Sequence, residues 1–94
     1  MSLLDMLGSK PRLEILRLLS REPMYVSELA EEVGMDGKTA VHHLRALEGA
    51  DLIEPYRQGN RKYYRLTKVV TLRAAPYPER TFIVQASDID GGTA

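Results

Sequence analysis

The sequence predicts a small α+β protein, mainly α-helical, in which helices come first and β-hairpins follow. Two observations support this fold class. Apolar residues recur at helical spacing between residues 3 and 48. From residue 52 onward, β-branched and aromatic residues instead form short runs around glycine- and proline-containing turns. A chain of 94 residues is long enough for one domain with a short appendage.

The first two predicted helices are short and amphipathic. Residues 3–8 form an apolar turn of helix that ends at Gly8. Ser9 can cap the next helix, and Pro11 fits its first turn because the missing N–H has no partner there. The predicted inward residues are Leu13, Ile15, Leu16 and Leu19, and the predicted outward ones are Arg12, Glu14, Arg17 and Arg21.

Two further helices follow in close succession. Residues 24–26 are apolar and β-prone, and we expect a very short strand there. Ser27 is the candidate N-cap of a helix over SELAEEVG, which Gly34 ends. Asp36 is placed to cap the next helix, over residues 36–48. Two short helices joined by a tight turn that contains glycine form a helix-turn-helix.

The helix over residues 36–48 has two different faces. Ala40, Leu44 and Leu47 recur at i, i+4 and i+7, so they form one apolar stripe. The opposite face carries Lys38, Val41, His42 and Arg45. A short helix with a basic, hydrogen-bonding outer face is suited to the major groove of DNA. The alternative is a solvated helix face with no further role.

Residues 52–67, LIEPYRQGNRKYYRLT, predict a β-hairpin with Gln58-Gly59-Asn60 at its turn. Around that turn, residues 57–65 carry four basic side chains and no acidic one, which favours phosphate contact over a merely exposed charged strand. Tyr63 and Tyr64 alternate across the returning strand. One of them is expected in the core and the other at the surface.

The last part of the chain changes character. Residues 68–74 and 80–87 are strand-like and are separated by APYPE, so they predict a second hairpin. Such a hairpin is marginal alone and must pack on the domain or on another chain. The predicted organisation is a helix-turn-helix domain over residues 1–66, a hairpin extension over 67–87 and a disordered tail over 88–94. The hairpin is expected to serve dimerisation, and the alternative is an extension that binds a ligand or a partner.

Composition limits the possible functions. The chain has no cysteine, so disulfides and thiolate metal sites are excluded. Its net charge is zero, but residues 36–66 carry six basic and four acidic side chains, so positive charge is local. No run is long enough for a membrane span and the start does not resemble a secretory signal, so we expect a cytoplasmic protein.

No arrangement typical of an enzyme is present. Ser27 has no adjacent base, and the carboxylates at 28, 31 and 32 belong to a solvated helix face. His42 and His43 are a poor metal pair, because adjacent helical residues point about 100° apart and no cysteine or carboxylate cluster lies nearby in the sequence. The sequence therefore predicts no catalytic residue, no metal site and no cofactor.

The order of these elements resembles a known family. KPRLEILRLL, VSELAEEVGMDGKTAVHHLRALEGADLI and YRQGNRKYYRL are similar, in residue type and spacing, to the ArsR-type winged helix-turn-helix transcriptional regulators. The resemblance covers about residues 3–66. It implies a dimeric repressor of duplex DNA, with the recognition helix in the major groove and the wing on the backbone or minor groove. The DNA-contacting positions that it implies are Lys38, Thr39, Val41, His42, Arg45, Arg57, Gln58, Asn60, Arg61 and Lys62.

The sequence also departs from that family. Metal-sensing members carry cysteines near the helix before the recognition helix, where this chain has MYVSELAEEV, and residues 67–86 offer only Glu79 as a ligand. Metal sensing therefore does not carry over, and no effector is indicated. The C-terminal helix of the family is replaced by predicted strands. A homodimer held by the N-terminal helix and the C-terminal hairpin is the expectation, and His43 is expected to be structural. The alternatives are a protein-interaction module and a binder of RNA or single strands.

Overall fold

The computed structural model describes residues 2–79 and 82–89. The helices are α1 (Leu3–Leu7), α2 (Lys10–Leu19), α3 (Val26–Val33) and α4 (Gly37–Gly49). The strands are β1 (Met24–Tyr25), β2 (Ile53–Gln58), β3 (Arg61–Leu66), β4 (Lys68–Ala74) and β5 (Phe82–Asp88). An antiparallel sheet has the order β1-β3-β2, and β4 and β5 form a separate two-stranded sheet. This arrangement is a winged helix-turn-helix domain with a C-terminal β-hairpin, as the sequence predicts.

The core lies between the helices and the three-stranded sheet. On α4, Ala40, Leu44 and Leu47 are completely buried, which confirms the predicted apolar stripe. Tyr64 of β3 is also buried, and its neighbour Tyr63 is only partly buried, which decides between the two tyrosines. The other buried residues of the core cluster are Leu7, Ile15, Leu16, Leu18, Leu19, Met24, Leu29, Leu52 and Ile53.

The helix ends explain how the chain turns into the helix-turn-helix. The Ser9 hydroxyl accepts a hydrogen bond from the Arg12 N–H at 3.4 Å at the start of α2. Gly34 ends α3 with a φ of 83°, in the left-handed region that glycine adopts without steric cost. Asp36 Oδ1 then accepts from the Thr39 N–H at 2.7 Å and caps α4. The predicted caps at Ser9, Gly34 and Asp36 are confirmed.

Two local predictions are wrong. Leu13 is 43% exposed rather than part of the core stripe of α2. Residues three apart on a helix are rotated by about 300°, so the stripe drifts and Leu13 lies about 120° from Leu19. Ser27 does not cap α3, because the helix begins at Val26 and its N-cap position is Tyr25, two residues before Ser27. There, the Tyr25 N–H donates to Glu28 Oε1 at 3.1 Å.

The second hairpin packs on the helices through one face. In β4 and β5, Val70 and Val84 lie against the core, whereas Val69 on the alternate face is exposed. At its base, the Lys68 ammonium donates to the Asp88 carboxylate at 2.6 Å. Asp88 is thus a strand residue, so the predicted tail over 88–94 is wrong at its first residue. The predicted tail residues 90–94 lie outside the described residues.

Candidate nucleic-acid interface

The outer face of α4 presents five of the ten DNA-contacting residues predicted from the sequence. The buried stripe fixes the helix on the domain, so its other side faces solvent. Lys38, Thr39, His42 and Arg45 are exposed, and Val41 is partly buried. These side chains can donate hydrogen bonds to base edges or phosphates and meet a thymine methyl group.

The wing brings a second set of polar side chains around a tight turn. Gly59 has a φ of 65°, which allows the chain to reverse between β2 and β3. The strand register pairs Gln58 with Arg61 and Arg57 with Lys62, so consecutive residues of the wing point to opposite faces. The predicted wing residues Arg57, Gln58, Asn60, Arg61 and Lys62 are all exposed.

A cleft joins the wing to α4. One open cleft of about 700 Å³ is lined by residues of α4 and β3, namely Val41, Arg45, Glu48, Lys62 and Tyr64. The structure thus brings together two groups of predicted residues that are separated by about 20 positions in the chain. Two cations from different elements lie on the walls of one concave surface, which suits an anionic backbone.

On the other face of the wing, arginines stack on tyrosines. The Arg61 guanidinium lies 4.3 Å from the centre of the Tyr25 ring, and Tyr25 contacts Tyr63 edge-on at 5.5 Å. Tyr63 in turn stacks on Tyr56 at 5.7 Å, and the Arg65 guanidinium lies 4.7 Å from the Tyr56 ring. The stack restricts Arg61 near the tip of the wing. The role of Tyr25 was not predicted from the sequence, because its contact with Arg61 depends on the pairing of β1 with β3.

Ion pairs divide the cations into two groups. Arg65 Nε donates to Glu54 Oε1 at 2.7 Å, and Lys68 pairs with Asp88. Arg17 pairs with Glu14 on the outer side of α2. Among residues 2–79 and 82–89, no ion pair involves the predicted DNA-contacting cations of α4 and the wing. These cations remain available for phosphates.

The two histidines occupy different environments. The rings of His42 and His43 are in edge contact at 5.5 Å, but His42 is exposed and His43 is partly buried. His43 Nδ1 accepts a hydrogen bond from Arg12 Nε at 3.1 Å. Burial, together with the Arg12 charge, lowers the pKa of His43 below its usual 6.5. Arg12, which was predicted to face outward, is therefore turned toward α4.

In the described part of the chain, no group of three or more His, Cys, Asp or Glu side chains is arranged to hold a metal ion. Nor does that part contain a helix long and apolar enough to cross a lipid bilayer.

Fold and site together define a winged helix-turn-helix domain with a basic outer face. Residues 9–54 match the model of the bacterial regulatory proteins of the arsR family, and over this segment the chain belongs to that family. This confirms the resemblance seen in the sequence. The matched segment contains α2, α3 and α4 and ends at the start of β2.

Relatives from several bacteria support this assignment. The chain is 40% identical over 60 residues to the HTH-type transcriptional regulator Rv0324 of Mycobacterium tuberculosis, covering 64% of this chain and 26% of that protein. It is 30% identical over 69 residues to the arsenical resistance operon repressor of Staphylococcus aureus, covering 73% of this chain and 66% of the repressor. The chain thus spans between about a quarter and two thirds of the length of these relatives.

Solved structures show the same fold. One is the homodimeric winged helix-turn-helix DNA-binding domain of Mb0332 from Mycobacterium bovis, described as a possible ArsR-family regulator. It superposes with a TM-score of 0.63 at 39% identity, covering 66% of this chain and 57% of that one. Another is NolR from Sinorhizobium fredii, with a TM-score of 0.64 at 32% identity, covering 67% of this chain and 63% of that one.

Proposed function

We propose that the protein is a sequence-specific, duplex-DNA-binding transcriptional regulator that acts as a homodimer. The observation that carries the proposal is the cleft in which the exposed face of α4 and the cations of the wing meet. Helix α4 lies in the major groove, and the wing over residues 57–62 contacts the backbone or the minor groove. Nothing in this arrangement requires catalysis, and we propose no enzymatic activity.

Each selected residue has a role in this proposal. Lys38, Thr39 and His42 donate to base edges, and Val41 contacts a thymine methyl group. Arg45 contacts a phosphate from the side of the helix. The five wing residues add phosphate contacts: Arg57, Gln58, Asn60, Arg61 and Lys62. The base contacts from α4 set the sequence preference, whereas the phosphate contacts of Arg45 and of the cationic wing residues set the salt dependence.

We also propose that the protein represses transcription in the cytoplasm. The named relative from Staphylococcus aureus is a repressor, and a dimer that covers a near-palindromic site blocks other proteins from it. The alternatives are a protein-interaction module without DNA specificity and a binder of RNA or single strands. They predict different nucleic-acid preferences and are therefore outcomes of the same test.

That test begins with selection of bound fragments from a random duplex pool, followed by fluorescence anisotropy. We expect tight binding to the selected duplex and weaker binding to each of its single strands at the same salt concentration. His42→Ala should change the selected sequence, whereas Arg61→Ala should weaken binding to all duplexes equally. Equal or tighter binding to the single strands would contradict the proposal, and so would failure to enrich any duplex.

The second part of the proposal concerns the dimer. Helix α1, the start of α2 and the β4–β5 hairpin enclose an apolar groove of about 600 Å³. Leu4, Leu13 and Leu72 line it and are 46%, 43% and 58% exposed, respectively. We propose that residues 1–66 are the DNA-binding domain and that this groove, completed by the extension over 67–87, receives a second copy of the chain. The homodimeric state of the Mb0332 domain supports this choice of occupant.

A charge placed in the groove tests the dimer. Leu72→Glu should shift the molar mass, measured by light scattering after size-exclusion chromatography, from dimer toward monomer. Thr71→Glu is the matched control, because Thr71 precedes Leu72 on the same strand and points to the opposite face. A Leu72→Glu protein that stays dimeric would place the interface elsewhere.

A further inference from the structure

One guanidinium connects three helices of the domain. Arg12 of α2 donates through Nε to Nδ1 of His43 on α4, at 3.1 Å. Its Nη1 donates to the carbonyl oxygen of Met6 on α1, at 3.2 Å, and contacts Met6 Sδ at 3.3 Å. Arg12 therefore links the helix proposed to lie in the major groove to the helix that lines the proposed dimer groove.

This link depends on the protonation of His43. Nδ1 can accept a hydrogen bond only when the imidazole is neutral and its proton is on Nε2. Protonation of Nδ1 replaces the acceptor with a donor and places two cations side by side. In the described structure, the groups that act on the His43 charge are the Arg12 guanidinium and the His42 imidazole.

We infer that Arg12, acting through neutral His43, is a positioning residue for α4, and that protonation of His43 weakens DNA binding. This inference rests on the proposed function. When the hydrogen bond is intact, α4 is held at one angle relative to α1, and in a homodimer this angle sets the separation of the two recognition helices. When the bond is lost, part of the binding free energy is spent on restoring that angle.

The predicted effect of His43 protonation on DNA affinity is opposite to the effect expected from simple electrostatics. A new positive charge on a DNA-binding face normally strengthens binding to a polyanion. Protonation of His43 should do the reverse, because it breaks the contact with Arg12. The chain contains only these two histidines, so their effects can be separated by substitution.

The test compares His42→Asn with the double variant His42→Asn/His43→Asn on the selected duplex. Asparagine at 43 keeps an acceptor oxygen near the position of Nδ1 but does not titrate. In His42→Asn, we expect affinity to fall about tenfold as the pH is lowered from about 8 to about 5, with most of the fall at the acid end because the pKa of His43 is lowered. In the double variant, we expect a change of less than about twofold. Affinity that is constant or rises toward acid in His42→Asn would overturn the inference.

A pair of arginine variants separates positioning from charge. Arg12→Gln and Arg17→Gln both remove one positive charge from α2, but Arg17 pairs with Glu14 on the outer side of the helix. We expect Arg12→Gln to lose about tenfold in affinity and its acid dependence, and Arg17→Gln to lose neither. Circular dichroism melts of both variants show whether each remains folded. Equal effects on DNA binding in two folded variants would contradict the inference.

A measurement without DNA tests the link itself. Long-range ¹H–¹⁵N correlation spectra distinguish the two neutral tautomers of a histidine. We expect His43 with its proton on Nε2, and a change of tautomer ratio in Arg12→Gln. A proton on Nδ1 of His43 would overturn the inference even if DNA binding is confirmed. A protein that selects no duplex, but has the expected tautomer, would instead contradict the proposed function.

Discussion

Arg61 and Arg65 provide a matched pair for testing phosphate contact by the wing. They lie four residues apart on β3, on the same face, and each guanidinium stacks on a tyrosine. They differ in their partners, because Arg65 forms an ion pair with Glu54 at 2.7 Å and Arg61 has no ion pair among the described residues. Only Arg61 also lies next to the turn. We expect Arg61→Ala to remove one phosphate contact and Arg65→Ala to remove none.

The size of the effect follows from counterion release. Each phosphate contact contributes about 0.9 to the negative slope of log affinity against log salt concentration. Arg61→Ala should therefore reduce the slope by about 0.9. Over a fourfold change in salt concentration, that difference corresponds to a factor of about 3.5 in relative affinity. Arg65→Ala should leave the slope within about 0.2 of the parent value, since its charge is already compensated.

Fluorescence anisotropy of a labelled duplex over a range of potassium chloride concentrations measures both slopes. Because phosphate contacts carry no sequence information, the Arg61→Ala effect should be the same on the selected duplex and on an unrelated one. Equal slopes for the two alanine variants would refute the assignment of Arg61 to a phosphate. A loss confined to the selected duplex would assign Arg61 to a base instead.

Three further predictions concern stability, each measured by urea denaturation. Leu44→Ala should lower the free energy of unfolding by roughly 3 kcal/mol, because Leu44 is completely buried. Val69→Ala, on the exposed face of β4, should lower it by less than about 0.5 kcal/mol. Similar losses for the two variants would contradict the placement of the core. Gly34→Ala should lower the free energy of unfolding by about 1 kcal/mol, because the φ of 83° at this position is unfavourable for alanine. Gly37→Ala, at the start of α4, should leave the free energy of unfolding unchanged. The Thr39 N–H holds the pKa of Asp36 below its usual 3.8, so the contribution of Asp36 is present above that pH and is lost as the pH falls. Asp36→Asn should therefore give a flatter stability profile below about pH 4, and a profile identical to that of the parent would contradict the cap.

Local sequence signals were sufficient for the elements that carry the site. The spacing of Ala40, Leu44 and Leu47 identified the buried side of α4, and the outer face followed from it. Asp36 and Gly34 marked the turn because capping is decided by neighbouring residues. The wing was predicted for the same reason, since Gly59 and the alternating strands around it define a hairpin locally.

The features that the sequence did not predict depend on contacts between distant residues. Arg12 and His43 are 31 positions apart, and no local pattern distinguishes Arg12 from the outward-facing Arg17 on the same helix. Tyr25 contacts Arg61 only because β1 pairs with β3, and a two-residue strand has too short a pattern to predict its partner. Leu13 is exposed because a three-residue repeat drifts around the helix.

The zero net charge of the chain is compatible with DNA binding because its ion pairs are unevenly distributed. In the described residues, ion pairs compensate Arg17, Arg65 and Lys68, which lie away from the cleft between α4 and the wing. The cations on the proposed DNA-contacting surface are left uncompensated. Long-range steering should therefore be weak, because the total charge gives no net attraction at distances beyond about 10 Å. Salt should then act mainly on dissociation: we expect Arg61→Ala to raise the dissociation rate and leave the association rate nearly unchanged, whereas an equal loss in association rate would show that the wing also steers encounter.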